Sequence, residues 1–388
     1  VLYLDSIVAE GTNFKIKEGD VNGVLYPDIY TNNFNMKWMP KEDHMIIKNQ
    51  LDSFQLYNNT AKLSGFIDLT ATGVNGGGTM TTRGFETKSE EFSFSQNNLM
   101  AKHSIFELAS NNPEKPLLAG NDIRLEFDFS KDVADISPEI EGVAAIDFPY
   151  AQIKTSISKA QWNLKEQKVY MTKPEDVAIE NSYFYATREE LDSLAFNAES
   201  AVYDIPTSEL KVSGIPYIIV ADAMITPENN EVLILENAQI GVLYNTTIVI
   251  DTLNAYHRLI DGTIQIHSRT NFSGSATYEF VNALKDTFNI KLGKFELWKD
   301  PEDKNAEFQT MANGTITGDD RFMISEGIYY KGDVTMYARK KAVELDGYIQ
   351  LELKARENCD TWVEYSRMAE ETQDGMFNCD GAVTENGQ

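Results

Sequence analysis

The chain has 388 residues, enough for two or three ordinary domains or for one elongated repeat structure. It carries 60 acidic and 34 basic side chains, which gives a formal net charge of −26. That charge disfavours nucleic acid and anionic membrane surfaces as partners, because both repel it. The hydrophobic content of 42% excludes a disordered chain.

The sequence predicts neither a secretory signal at its start nor a membrane-spanning helix. It begins VLYLDS, with no initiator Met and no secretory signal, so we expect a piece of a longer protein. The apolar stretch IPYIIVADAMI contains Asp222 and is too short to cross a bilayer as a helix.

Almost every segment alternates apolar and polar residues with a period of two, which predicts β-strands of about five residues. The glycine run GVNGGGTM at 73–80 lacks the Lys, the Ser/Thr and the helix that follow a phosphate-binding loop. We therefore interpret it as a wide turn or a bulge between strands. Apolar residues that share a predicted strand face are Phe92 and Phe94; Ile123, Leu125, Phe127 and Phe129; Ile264 and Ile266; and Ala276, Tyr278 and Phe280.

A weak internal repeat lies in the middle of the chain. AQWNLKEQKVYM at 160–171 aligns with AVYDIPTSELKV at 201–212, each with an aromatic residue, a turn former, a polar insert and a strand. Between them, TREELDSLAF predicts one short helix, with Thr187 as its N-cap and Glu190 closing a capping box.

Candidate sites for chemistry are sparse. We place His257 and His267 in neighbouring strands, where they could form a metal or acid–base pair. The acidic loops at 300–305 and 317–321 offer oxygen ligands for calcium without the spacing of an EF-hand. Strand aromatics that could form a carbohydrate platform, but that more often pack in a core, are Trp298, Tyr329, Tyr330 and Trp362.

The stretch GDVTMYARKKAVELDGYIQLEL, at 332–353, predicts two strands joined by a Lys/Arg-marked corner. We interpret Gly332 and Gly347, which open the two halves, as turn markers. The apolar residues of this stretch alternate onto one face, which would line either a packed core or a ligand groove. The groove candidates are Val334, Met336, Val343, Leu345, Ile349 and Leu351.

A single hairpin with one apolar face is not stable alone, but stacked hairpins bury a continuous core. We therefore predict an all-β fold, an elongated β-jellyroll or β-solenoid of stacked short antiparallel strands that runs over 1–355. Two or three separate β-sandwiches are the alternative. A C-terminal segment at 356–388 follows, and its Cys359 and Cys379 are candidates for a disulfide.

Two segments resemble the OstA-like family, which includes LptA and the N-terminal domain of LptD. The first is Ala198, Ala201, Tyr203 and Asp204, followed by a strand and Gly214; the second is Gly332, Val334, Ala338, Leu345 and Gly347. The resemblance covers 140–355 and implies stacked hairpins around an apolar groove that holds acyl chains of lipopolysaccharide. It also implies a bacterial cell envelope location, in the periplasm, the outer membrane or the cell surface.

Three functions remain open at this point, and the first two are not catalytic. The first is a structural or interaction scaffold, whose partners are other envelope proteins or further β-repeats of the same chain. The second is a lipid conduit with an apolar groove for acyl chains. The third, which we favour least, is a carbohydrate-binding module or an enzyme on a β scaffold. We expect no catalytic residues, no metal site and no cofactor, with calcium as the remaining option.

Overall fold

The segments in which apolar and polar residues alternate form antiparallel β-sheets, as predicted. The computed structural model describes residues 5–82, 84–110, 115–140, 145–302, 305–352 and 361–368. These residues form 34 β-strands and five 3-10 helices of three residues each, with no α-helix in the described ranges. The fold is all-β, with long antiparallel sheets that include a strongly curled half-barrel.

The chain divides into two compact units, and each is described by itself. Unit 1 comprises residues 1–189, 195–214 and 233–239, and unit 2 comprises residues 190–194, 215–232 and 240–388. The predicted boundary at residue 355 and both cysteines lie outside the described residues.

The first 22 strands lie in unit 1. They are β1 Ile7–Gly11, β2 Phe14–Ile16, β3 Gly19–Val21, β4 Val24–Tyr26, β5 Ile29–Thr31, β6 Phe34–Met39, β7 His44–Asn49, β8 Phe54–Leu56, β9 Ala61–Thr70, β10 Gly73–Thr82, β11 Phe85–Phe94, β12 Asn98–Leu108, β13 Leu118–Asp128, β14 Val133–Pro138, β15 Ile146–Phe148, β16 Ile153–Thr155, β17 Ala160–Asn163, β18 Lys168–Thr172, β19 Tyr183–Ala186, β20 Ala195–Asn197, β21 Ser200–Asp204 and β22 Glu209–Ser213.

The remaining strands belong to unit 2, apart from β25, which spans a unit boundary. They are β23 Ile218–Val220, β24 Ala223–Thr226, β25 Glu231–Ile234, β26 Leu243–Ile250, β27 His257–Ser268, β28 Asn271–Val281, β29 Thr287–Trp298, β30 Gln309–Ile316, β31 Met323–Ser325, β32 Ile328–Tyr337, β33 Glu344–Leu351 and β34 Trp362–Arg367. All of these except β25 form one 11-stranded antiparallel sheet, in which β31 pairs with β32.

The longest strands have 10 to 12 residues, about twice the predicted length, and β-bulges bend them. In unit 1 the register shifts between β12 and β13, where His103 and Asp122 adopt positive φ angles. Unit 2 has the same combination of a register shift and a positive φ angle at three residues, Asn245 in β26, Asp261 in β27 and Lys294 in β29. Each bulge shifts the alternation of inward and outward side chains by one residue and bends the strand. The apolar residues after the bulge therefore still face the interior, and the sheet curls.

The predicted repeat is confirmed as two hairpins that pair edge to edge. β17 pairs with β18, β18 with β21, and β21 with β22, so the aligned segments stand side by side in one sheet. Trp162 lies opposite Val169, and Tyr203 lies opposite Leu210, with all four side chains buried.

A third copy precedes these two and was not recognised in the sequence. The hairpin of β13 and β14 places Phe127 opposite Ala134, and β14 pairs with β17. All three turns begin with an Asx residue whose Oδ1 accepts backbone N–H bonds, from Ser130 in the first copy, from Lys165 in the second and from Thr207 in the third. The turns end at equivalent positive-φ residues, namely Asp132, Gln167 and Ser208.

Adjacent turns of this stack of three hairpins are also bonded to one another. The backbone N–H of Leu164 donates to the carbonyl of Asp132 at 3.0 Å, and that of Ile205 donates to the carbonyl of Gln167 at 3.0 Å. The stack is therefore continuous from the strands into the turns.

The predicted helix at TREELDSLAF is wrong. Only Glu189–Leu191 forms a 3-10 turn, and the chain returns to strand at β20. Asp192 and Ser193 adopt positive φ angles, which end the helical turn and rotate Leu194 into a buried position. The apolar pattern of this segment reflects two buried leucines rather than an amphipathic helix.

Candidate functional site

The hairpin of β32 and β33 forms as the sequence predicts, with Val334 opposite Leu345. Five of the six groove candidates are 4% exposed or less, and the sixth, Leu351, is 38% exposed. The five buried candidates are Val334, Met336, Val343, Leu345 and Ile349. At these five residues the interior of unit 2 is packed against protein and closed to water; a groove stays a prediction.

The interpretation of Gly332 and Gly347 as turn markers is wrong. Both lie in the middle of their strands and face each other in the register. A Cβ atom added to Gly332 would lie 2.5 Å from the Cα atom of Gly347, and Gly332 has a φ of +146°. The glycines therefore allow a close approach of two backbones beneath the side chain of Tyr330, whose hydroxyl donates to the carbonyl of Asp333 at 2.6 Å.

Polar side chains tie segments that are distant in sequence across the interior of unit 2. The carboxylate of Asp222 accepts bonds from the backbone N–H of Thr310, at 2.9 Å, and from its hydroxyl. The buried Arg367 guanidinium donates to the carbonyl of Val343 at 3.2 Å, and Asn282 donates to the carbonyl of Met323 at 3.2 Å. These bonds fasten β30, β31 and β34 to neighbouring loops. Sequence reasoning missed them, because no local pattern pairs residues that lie 24 to 88 positions apart.

The proposed pairing of His257 with His267 is wrong, because both lie on the single strand β27 and face opposite sides. Ten positions of strand separate their Cα atoms by about 30 Å, far beyond the reach of a shared metal. His267 is exposed, and its Nε2 lies 2.7 Å from the hydroxyl of Ser273. His257 is fully buried, and its Nε2–H donates to the carbonyl of Lys340 at 2.6 Å.

Burial lowers the pKa of His257, because the interior disfavours the charged imidazolium. Its Nδ1 is enclosed and has no hydrogen-bond partner among the described residues. Burial outweighs the backbone carbonyls of Lys340 and Tyr337 and the carboxylate of Asp251, which favour the charged form. The folded state therefore binds a proton on this imidazole less readily than the unfolded state, whose histidine titrates near pH 6.5.

We expect the stability that His257 contributes to be fully present above about pH 6.5 and to be lost as the pH falls below that value. Glutamine at this position can still donate to the carbonyl of Lys340 but cannot take up the proton. The difference in thermal midpoint between the wild type and His257→Gln should narrow as the pH is lowered from 7.5 to 5, as measured by differential scanning calorimetry.

His267→Gln is the matched control, since that imidazole is exposed. Its midpoint should follow the wild type at every pH. A constant difference between the wild type and His257→Gln over the same range would contradict the assignment.

The acidic loop at 317–321 uses its carboxylate internally. Asp320 accepts bonds from the backbone N–H of Thr317, at 2.6 Å, and from its hydroxyl, at 2.8 Å, and the backbone bond lowers the pKa of Asp320. The loop at 300–305 falls partly outside the described residues. Within the described ranges, no cluster of three or more His, Cys, Asp and Glu is arranged to hold a metal ion. Calcium stays a prediction.

Of the candidate carbohydrate-platform aromatics, Tyr330 is part of the core. Trp362 and Tyr329 lie on the outer face of the sheet, and the Lys331 ammonium sits 4.3 Å from the Trp362 ring centroid. Trp298 packs on Tyr337, with ring centroids 4.6 Å apart. These rings contact strand neighbours and a lysine, and they do not form one continuous flat surface.

Comparison with protein-family models and with curated proteins gives no match for this chain. Across the described ranges, no helix is long and apolar enough to span a membrane. The resemblance to the OstA-like family therefore stays an expectation from the residues quoted for it.

Proposed function

We propose that the chain is a non-catalytic β-repeat scaffold of a bacterial envelope assembly. Its partners are other envelope proteins or further β-repeats of the same chain. The observation that carries this proposal is the closed interior of unit 2, where the alternating apolar side chains form a packed core. The envelope location rests on the resemblance to the OstA-like family.

The stack of three hairpins in unit 1 supports the same function. Each hairpin buries an aromatic residue, namely Phe127, Trp162 and Tyr203, and pairs with the next hairpin through backbone bonds. Such a stack gains its stability from contacts between neighbouring repeats, which suits a spacer or platform.

The buried polar groups of unit 2 also serve architecture. Asp222, Arg367 and His257 each bond a backbone group of a distant segment. Groups held in this way fix the curl of the sheet.

A lipid conduit makes the opposite prediction about the interior, and a binding titration separates the two functions. Purified protein is titrated with the fluorescent fatty acid cis-parinaric acid, and co-purifying lipid is extracted from unfolded protein and weighed. The scaffold predicts no saturable fluorescence increase and less than about 0.1 lipid per chain, since the interior offers an acyl chain no room. Saturable binding near one fatty acid per chain would establish a conduit instead, provided that Met336→Trp abolishes the binding. Tyr348→Trp, on the outer face, is the control and should keep it.

A further inference from the structure

A cleft of about 840 Å³ lies in unit 1 at the end of the hairpin stack opposite its turns. Three segments form its walls: residues 137–139 at the end of β14, 156–159 between β16 and β17, and 173–183 from the end of β18 to the start of β19. Arg124 of β13 completes the lining. A volume of this size holds a ligand of two or three sugar rings.

The walls of the cleft are held in place by their own hydrogen bonds. The Ser156 hydroxyl donates to the carbonyl of Asn181 at 3.0 Å and accepts the backbone N–H of Tyr183 at 2.9 Å. The buried Ser182 hydroxyl donates to the carbonyl of Ala198 at 2.6 Å, and Lys173 Nζ donates to the carbonyl of Val177 at 2.9 Å. A cleft that is already ordered loses little conformational entropy when it binds a ligand.

Other polar groups of the same cleft have no partner among the described residues. The Oε2 atom of Glu139 is enclosed and accepts no hydrogen bond. The hydroxyls of Ser137 and Ser158 and the ammonium of Lys159 make no hydrogen bond or ion pair within the part of the chain that the structure describes. An enclosed carboxylate oxygen without a donor is costly unless a ligand supplies one.

The lining of the cleft is less acidic than the chain as a whole. Arg124, Lys159 and Lys173 line it against two acids, Glu139 and Asp176, whereas the whole sequence has 60 acidic and 34 basic residues. Arg124 is paired with Glu126 outside the cleft at 2.8 Å, and Lys173 Nζ donates to the carbonyl of Val177. Lys159 is therefore the lining cation that stays available. An exposed ammonium without a carboxylate partner can bind an anionic group of a ligand.

Tyr183 gives the cleft an aromatic edge. Its side chain is 40% exposed although it lies on a strand, β19, that is paired on both sides. The cleft thus matches the alternating polar and apolar faces of a sugar. It offers hydroxyl and amide groups, a free carboxylate oxygen and a solvent-facing aromatic ring.

We propose that this cleft binds a short oligosaccharide that carries carboxylates, that is, a uronate-containing glycan. Lys159 faces the carboxylate of the sugar, Glu139 Oε2 accepts a sugar hydroxyl, and Tyr183 packs on a ring face. The site is separate from the sealed interior of unit 2, and it does not depend on the scaffold function.

The experiment is an isothermal titration of the full chain with trigalacturonate and with its fully methyl-esterified form, which has the same rings without the charges. We expect trigalacturonate to bind and the ester to bind at least about tenfold more weakly. Lys159→Glu should weaken trigalacturonate binding about tenfold or more, and Tyr183→Ala should weaken both probes by a similar factor, roughly fivefold.

Lys62→Glu is the matched control, an exposed lysine on β9 that does not line the cleft, and it should leave the affinity unchanged. Lys159 is itself exposed, so its substitution is not expected to unfold the protein, and equal melting midpoints check this. Absence of binding heat up to millimolar trigalacturonate would overturn the proposal. So would an equal effect of Lys159→Glu and Lys62→Glu on the affinity.

Discussion

Replacing Gly332 with alanine is expected to destabilise the protein by about 3 kcal/mol, a cost typical of enforced backbone strain. The added Cβ would lie 2.5 Å from the Cα atom of Gly347 and 2.6 Å from the carbonyl of Asp346, and both neighbours are backbone atoms that cannot move aside. The φ of +146° adds strain for any side chain. Urea denaturation followed by tryptophan fluorescence measures the change.

Gly293→Ala on β29 of the same sheet is the control. Its added Cβ would meet its nearest neighbour, the carbonyl of Gly274, at 3.6 Å, which is an ordinary contact. We expect a change within about 0.5 kcal/mol of zero. Equal losses for the two substitutions would show that the glycine pair has no special role.

The same device occurs in unit 1. Gly65 and Gly78 face each other on β9 and β10, and a Cβ added to Gly78 would lie 2.2 Å from the carbonyl of Ser64. Close backbone approach between paired glycines is thus a feature of each unit.

Truncation of Trp162 to alanine is expected to cost about 4 kcal/mol of unfolding free energy. The indole is 5% exposed, and its ring centroid lies 5.6 Å from that of Phe85 and 6.4 Å from that of Phe106. Its removal leaves a cavity between the central hairpin and the long strands β11 and β12. Both neighbouring hairpins lose a packing surface, because the central one supports them.

Trp38→Ala provides the comparison for Trp162, since this indole is 38% exposed on β6. The same chemical change should cost about 1 kcal/mol there. Calorimetric midpoints of the wild type and the two variants test whether Trp162→Ala loses more stability than Trp38→Ala. A loss for Trp162→Ala no larger than that for Trp38→Ala would mean that the hairpin stack does not depend on its aromatic core.

The sequence predicted the class of fold and one repeat because both depend on local alternation. Leu125, Val334 and Leu345 point inward as the period of two requires. The aligned segments at 160–171 and 201–212 form equivalent hairpins, since an Asx turn and an aromatic residue recur at the same spacing.

Strand length was misjudged because bulges interrupt the alternation. In β12 the buried residues are Leu99 and Ala101, then Ser104, Phe106 and Leu108, so the inward phase changes by one residue at His103. The prediction of strands of about five residues did not allow for a phase change within one strand. A phase change with Asn, Asp or His beside it is the signal that would have predicted a bulge within one long strand.

The interior polar bonds and the cleft could not be predicted locally. Thr310 and Asp222, or Glu139 and Lys159, come together only when the sheet curls and the hairpins stack. The burial of His257 was missed for the same reason, since its partner, the carbonyl of Lys340, carries no sequence signal.

The stack of three hairpins restricts where insertions and deletions can be accepted during evolution. Its turns are four residues long in every copy and are bonded to one another, so a change of length there would break the bonds between copies. The connections at the opposite end differ in length, and they form the walls of the cleft. Duplication and divergence of such hairpins can therefore lengthen the sheet and reshape the ligand-facing surface independently of each other.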